Sequence, residues 1–381
     1  MAELMKAAVL VDARKLELRE VAMPQPAPHQ VLVRTTGVGI CGTDLHIYGG
    51  QANYNRDSTG APIPFGQQPQ TLGHEISGVI EEVGSEVRDL KVGERVVLDQ
   101  GLNCLSQRLE PICEFCASGD SHQCLHYKEH GITGLVGGFA QYIAIAAINT
   151  IRLEGDLPRV QVALTEPLGC VVHAIEFTDR ASTRYTFTGE RRIRNILILG
   201  AGTAGLLFLQ CFRNVRKFDG QIFVADLNPH KLKLAEAFGA TVLKSTGEDL
   251  VREVIERTRG EKIHYLVEAT GAGAVFRSLP GLLRKQATVV LYGHGHEGAD
   301  MALLNYLQFL EPALVSPVGA SGGFDTDGRS LTYRNSMRHL TSGHIQVAPI
   351  ITDTCNLETL PRVFSEETSR PDFIKAVVLP D

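Results

Sequence analysis

Apolar and β-branched residues fall along this chain in two rhythms. From Lys6 to about residue 150 they come in short runs, such as Val31-Leu-Val-Arg-Thr-Thr36, Gly78-Val-Ile-Glu-Glu-Val83 and Arg95-Val-Val-Leu-Asp99. Gly, Pro and Asp separate these runs, a pattern that predicts a compact, β-rich, barrel-like domain. From about 165 to 315, strand-length apolar runs alternate with helical patterns: a strand over Asn195–Leu199, a helix over 204–212, a strand over 221–226 and a helix over 229–238. That alternation predicts a parallel α/β sheet. After Val318-Gly-Ala-Ser-Gly-Gly323, an amphipathic stretch over Leu331–Thr341 and a closing strand over 374–379 are expected to return to the first domain. The expected architecture is an α/β two-domain protein divided as 1–164, 165–315 and 316–381.

Composition narrows the classes. The 381 residues suffice for two domains, each with its own core. A net charge of −6 leaves no basic footprint for nucleic acid, and no apolar run reaches the ~18 residues of a membrane span. The opening Met1-Ala-Glu-Leu-Met-Lys6-Ala-Ala-Val-Leu is too briefly apolar for a signal peptide, so a cytoplasmic location is expected. Four of the eight cysteines, Cys104, Cys113, Cys116 and Cys124, crowd into one segment. In a reducing compartment that clustering favours a metal over disulfides.

Three motifs carry chemistry. Cys41-Gly-Thr-Asp-Leu-His46 and Gly73-His74-Glu75 offer a thiolate, an imidazole and a carboxylate, donors that bind zinc and leave a position open for substrate. The C-x8-C-x2-C-x7-C pattern from Cys104 to Cys124 suits a closed, structural zinc site, with Glu110 an alternative to Cys104 as first ligand. The third motif is Gly200-Ala-Gly-Thr-Ala-Gly205, which follows an apolar strand and opens a helix. There Gly200 permits a tight turn, Gly202 lets backbone approach a pyrophosphate, and Gly205 allows close helix-on-strand packing. Asp226 ends the next apolar run, near the usual offset of roughly 20 residues for the acid that binds the ribose hydroxyls. A carboxylate there favours NAD over NADP, with Lys231 nearby softening the preference. Zinc has no redox chemistry, so the dinucleotide must carry the electrons.

These pieces, with Val92-Gly-Glu-Arg-Val96, Gly137-Gly-Phe-Ala-Gln-Tyr142, Glu166-Pro-Leu-Gly-Cys170 and Glu268-Ala-Thr-Gly271, resemble the zinc-dependent medium-chain alcohol dehydrogenases over nearly the whole chain. The resemblance implies a GroES-like catalytic domain, with a structural zinc lobe at about 100–126, interrupted by a doubly wound Rossmann domain. It implies that Cys41, His74 and Glu166 bind the catalytic zinc, with Glu75 an alternating ligand or an acid behind the ligands. Gly200, Gly202, Thr203, Ala204, Gly205, Asp226, Lys231 and Thr270 would contact the cofactor. Glutamate in Glu166-Pro-Leu-Gly is similar to the polyol, sugar and threonine dehydrogenase branch. The implied reaction is oxidation of a secondary hydroxyl, its proton leaving by way of Thr43, the nicotinamide ribose and His46, and the implied assembly a homodimer or homotetramer. Two segments look longer than the family pattern: a polar loop between His46 and Gly73, and an Arg- and Thr-rich stretch from Thr178 to Arg194.

Overall fold

The computed structural model describes residues 3–380. They form two compact units: one of residues 3–169, 320–342 and 347–380, the other of residues 170–319 and 343–346. The division falls inside one helix, Thr165–Arg180, whose first five residues belong to the first unit.

The first unit is built on a seven-stranded sheet centred on the strand Gln30–Gly39. One edge of that strand pairs antiparallel with Glu75–Val83, and the other is shared by Tyr142–Ala146 and Lys375–Val378. Arg95–Leu98 and Thr150–Arg152 extend the sheet beyond Glu75–Val83, and Ile351–Cys355 extends it beyond Lys375–Val378. The β-branched residues of the central strands are the core: Val31, Val33, Val38, Ile76, Ile80, Val96 and Leu98 are all buried in one cluster with Phe139 and Phe364. Each such side chain contributes about 1.5–3 kcal/mol on burial. A separate three-stranded sheet holds Lys15–Ala22, Leu4–Asp12 and Gln70–Thr71.

The second unit carries a six-stranded, wholly parallel sheet. Its spatial order is Thr241–Leu243, Gln221–Ala225, Asn195–Leu199, Ile263–Glu268, Leu283–Leu291, Ala313–Val315. Numbered along the chain, that is 3-2-1-4-5-6, the doubly wound order in which the sequence of strands reverses between the first and fourth while all stay parallel. Asn195–Leu199 is buried at every position, as a strand covered on both faces must be. The helix expected over 204–212 runs Thr203–Gln210 and continues as a wider π turn, Cys211–Val215. The stretch Thr178 to Arg194 is not all insertion, because its first three residues complete the helix Thr165–Arg180. The remainder is pinned by Phe187, whose ring stacks on Phe212 and meets Phe218 and Tyr265.

Candidate metal and dinucleotide sites

Cys41 is the N-cap of the short helix Gly42–Tyr48, and its N–H is bonded by the Asp44 carboxylate at 2.8 Å in a capping box. The same buried carboxylate accepts the Gly73 N–H at 3.2 Å and lies 3.4 Å from His74 Nδ1. Asp44 thus ties the two halves of the sequence motif together and sets a carboxylate beside the His74 ring. The Cys41 Sγ, a His74 ring nitrogen and a Glu75 carboxylate oxygen all lie within 4.8 Å of one another. Burial opposes a charge on His74, but Asp44 and Cys41 outweigh it and lift its pKa well above the ordinary histidine value. An environment that draws a proton onto a buried imidazole is one that welcomes a cation, so donor set and field both fit zinc.

Glu75 opens the strand Glu75–Val83 and is completely buried. Its Oε1 meets Lys375 Nζ at 2.5 Å, and Lys375 also donates to the Ile40 carbonyl at 2.8 Å. Burial opposes the Lys375 charge, yet the Glu75 carboxylate and the Cys41 thiolate hold its pKa above the usual value. The second oxygen, Oε2, has no hydrogen-bond partner. Glycine at 39 makes room for it, because a Cβ there would sit 1.7 Å from Oε2.

Of the four residues that the resemblance puts at the catalytic metal, Cys41, His74 and Glu75 come together and Glu166 is not in that group. The Glu166 oxygen Oε1 instead accepts the Gln100 amide at 3.3 Å. Thr43 stands 3.8 Å from the Cys41 sulfur through Oγ1, and His46 Nδ1 is 3.1 Å from Gln51 Oε1. Thr43 and His46 are three residues apart on one helix and therefore share a face.

The four lobe cysteines also come together within 4.8 Å. Cys104 and Cys124 sulfurs are 3.6 Å apart and Cys113 and Cys124 sulfurs 3.9 Å. A tetrahedral zinc–thiolate site with bonds of about 2.3 Å has edges of roughly 3.8 Å, so the spacing fits. Cys104, not Glu110, stands in the cluster. Backbone N–H groups of Cys116 and Leu125 draw the Cys113 thiol down to about 6, while burial pushes Cys116 and Cys124 up.

In the parallel sheet, Gly200 adopts φ +99°, and a Cβ there would lie 3.0 Å from the Ala269 carbonyl. The glycine turn and the Ala269-Thr270 backbone therefore meet at the ends of adjacent strands, where the strand order reverses. A Cβ at Gly205 would collide with the Gly200 carbonyl at 1.9 Å, whereas one at Gly202 would meet open space. Gly202 is the N-cap of Thr203–Gln210 and brings no capping side chain, so the opening faces helix amides, the cradle a pyrophosphate requires. Thr203 and Ala204 are half-buried in the first turn. Asp226 Oδ2 accepts the Ala201 N–H at 2.7 Å and Oδ1 the Asn228 N–H at 2.8 Å, holding the carboxylate against the turn. Lys231 is in the helix Pro229–Ala237, and Thr270 is exposed with its N–H on Glu268 at 2.8 Å.

Residues 27–155 match the alcohol dehydrogenase GroES-like domain and residues 205–338 the zinc-binding dehydrogenase family. An L-threonine 3-dehydrogenase of Anaeromyxobacter dehalogenans is 31% identical over 74% of this chain and 76% of its own length. The chain belongs to the zinc-dependent medium-chain alcohol dehydrogenases. This dehydrogenase is similar throughout to a sorbitol dehydrogenase of Arabidopsis thaliana, 29% identical over 91% of the chain and 86% of that protein. Among solved structures, one assigned as a zinc-binding dehydrogenase of Sinorhizobium meliloti 1021, bound to NADP, superposes with a TM-score of 0.80. It is 26% identical and covers 99% of this chain and 100% of its own. Membership makes the protein an NAD(P)-dependent, zinc-binding oxidoreductase acting on a small alcohol.

Four residues of the first unit were not assigned roles from sequence: Asp44, Gln100, Tyr333 and Lys375. Asp44 had a signal, an acid three residues after an N-cap. Lys375 had one too, a lone cation inside the apolar run Phe373-Ile-Lys-Ala-Val-Val378. Gln100 and Tyr333 are ordinary residues whose meeting only the fold reveals.

Proposed function

We propose that the enzyme oxidises a secondary hydroxyl of a polyol, sugar or cyclitol to the ketone, reversibly, with NAD as hydride acceptor. The observation that carries this reading is similarity to a sorbitol dehydrogenase along 91% of the chain, beside a three-donor group fit for zinc in this chain. Cys41, His74 and Glu75 would hold the catalytic zinc, with Glu166 entering from its place beside Gln100, and Cys104, Cys113, Cys116 and Cys124 would hold the structural one. The glycine turn, Thr203, Ala204, Asp226, Lys231 and Thr270 would hold the dinucleotide. The chemistry these groups supply when bound is Lewis acidity toward a hydroxyl oxygen, from zinc, and hydride acceptance, from the dinucleotide.

The protein's own residues move the proton. The Thr43 hydroxyl accepts it from the substrate and His46, on the same helix face and only half-buried, releases it toward solvent. Asp44, 3.4 Å from His74 Nδ1, would orient the ring toward the metal. Asp226 supports NAD, since its carboxylate accepts ribose hydroxyls and repels a 2′-phosphate. A cytoplasmic setting agrees with the thiol cluster, and among the described residues no helix is long and apolar enough to cross a membrane. A homodimer or homotetramer agrees with the edge strand Ala313–Val315, whose Leu314 is 46% exposed and which follows Tyr306 and Phe309, 66% and 80% exposed.

A second reading, L-threonine 3-dehydrogenation, is favoured by the 31% identity to the Anaeromyxobacter enzyme. Measuring NAD reduction across sorbitol and other polyols, aldoses, cyclitols and L-threonine separates the two. Turnover confined to L-threonine would overturn the polyol reading. Cys41→Ser and His74→Ala should abolish oxidation of the accepted substrate while NAD affinity stays nearly unchanged, and undiminished turnover in Cys41→Ser would refute the zinc assignment.

A further inference from the structure

The second unit holds a cavity of about 800 Å³, walled by Arg184, Tyr185, Arg284, Lys285 and Gln286 on one side and by residues 308–311 on the other. The glycine turn lies at the carboxyl ends of the parallel strands, whereas this cavity opens at the amino end of the strand Leu283–Leu291. Its cationic wall is the product of a bulge. Ile263 pairs with Leu283 and Tyr265 with Thr288, so the four residues Arg284 to Ala287 stand opposite His264 alone. Excess chain on one strand buckles outward and re-aims the side chains it carries. Gln286 takes φ +58° within the bulge and Glu311 takes φ +47° across the cavity, left-handed values that cost energy in residues other than glycine. The two walls are bonded together, the Gln286 N–H donating to the Leu310 carbonyl at 2.6 Å and its Nε2 to Glu311 Oε2 at 2.9 Å.

Tyr185 fastens the Arg- and Thr-rich stretch to the bulge. Its hydroxyl donates to the Lys285 carbonyl at 3.2 Å and accepts from Arg284 Nε at 3.0 Å. Arg284 donates further, through Nη1, to the Glu261 carbonyl at 3.2 Å, and the Arg184 guanidinium lies 5.9 Å from the centre of the Tyr185 ring. Three cations thus line one cavity, and among the described residues none of them has a carboxylate partner. Glu261 pairs with Arg194, and Glu311, the one acid of the walls, is met by the Gln286 amide.

We propose that this cavity is a second small-molecule site, separate from the dinucleotide site, that takes a multiply charged, phosphate-bearing anion. A single carboxylate would leave most of the positive field unanswered, whereas phosphate oxygens suit both the arginine fork and the lysine point charge. The volume falls within the range of small-ligand pockets and admits a nucleotide or a sugar phosphate. Tyr185 and the Glu261 carbonyl hold Arg284 in place before a ligand arrives, so little of its side-chain freedom is lost on binding.

The test is calorimetric titration of the holoenzyme with sodium tripolyphosphate, NAD being kept at saturation so that the glycine turn is filled. A single saturable site per chain is expected. Arg184→Ala and Lys285→Ala, both at exposed positions, should each weaken binding roughly fivefold or more, and the double variant roughly twentyfold or more. Tyr185→Phe, which frees Arg284, should weaken it by a smaller factor. Citrate, a tricarboxylate, should bind at least roughly tenfold more weakly than tripolyphosphate. ATP binding tighter than tripolyphosphate would assign the site to nucleotides, and ATP binding more weakly would assign it to phosphates without a base. No binding to the NAD-saturated wild type, binding undiminished in the double variant, or citrate bound as tightly overturns the proposal.

Discussion

Replacing Lys375 with methionine tests how the first unit tolerates a carboxylate at its metal site. The substitution keeps the length of the side chain and removes the charge that meets Glu75 at 2.5 Å, where the two side chains are 3% and 0% exposed. Breaking a buried ion pair from one side costs about 3–5 kcal/mol, because the remaining charge is stranded in a low dielectric. The lost bond to the Ile40 carbonyl adds about 1 kcal/mol. At about 2–4 °C per kcal/mol for units of this size, the unfolding midpoint of the metal-free protein should fall by roughly 8–24 °C. Neutralising both partners, with Glu75→Gln in the same chain, should recover most of the loss, since no unpaired charge is then buried. The assay is thermal and urea unfolding in the presence of a chelator, with wild type, each single variant and the double variant compared. A single variant within about 1 kcal/mol of wild type, or a double variant no more stable than Lys375→Met, would refute the reasoning.

Further outcomes can be checked directly. Cys116→Ser should remove one zinc per chain by metal analysis and lower the thermal midpoint, since metal binding orders the lobe. Asp226→Ser should narrow the ratio of kcat/KM for NAD over NADP, through loss of repulsion and of ribose hydrogen bonds, and a wild-type preference for NADP would contradict the assignment. His264 offers a pH dependence. Burial, reinforced by Arg284 and Arg194 and opposed by Glu261, lowers its pKa to about 4. A folded value below the unfolded one means the unfolded chain binds the extra proton, so this contribution is complete above about pH 6.5 and is lost as pH falls toward 4. Urea unfolding at pH 7 and pH 5 should show a loss of about 2 kcal/mol in wild type that is absent in His264→Phe.

Elements were legible where one local rhythm decides them. Asn195–Leu199 and Leu331–Thr341 have the ends that the apolar run and the helical period predict. The helix after the glycine turn was less legible at its far end, because Leu206-Leu-Phe-Leu-Gln-Cys-Phe212 is apolar almost throughout and carries no stop signal before the π turn at Cys211. The choice between carboxylates was not legible at all. Glu75 and Glu166 have equal ligand chemistry, and among their partners are a lysine 300 positions away for one and a glutamine 66 positions away for the other. The cysteine spacing likewise left Cys104 and Glu110 open, a matter of which way the backbone turns before Cys113. Thr178-Asp-Arg180 shows a milder limit: polar residues at the end of an amphipathic helix look the same as the start of a loop.

The strand Lys375–Val378 has a consequence for how the enzyme is made. It closes the sheet beside Gly39, and its lysine neutralises Glu75, so the donor group assembled around residues 41 and 75 stays electrostatically incomplete until residue 375 has left the ribosome. The parallel sheet, whose strands all lie between residues 195 and 315, needs nothing from that late segment and can close first. Contacts of such long separation form slowly, because most of the chain must be ordered before they return any stabilisation. On that order the parallel sheet would form while Cys41, His74 and Glu75 still lie in an unfinished barrel. Zinc supplied during synthesis would meet the lobe cysteines, all encoded within 21 consecutive residues from Cys104 to Cys124, long before it could meet a finished catalytic site.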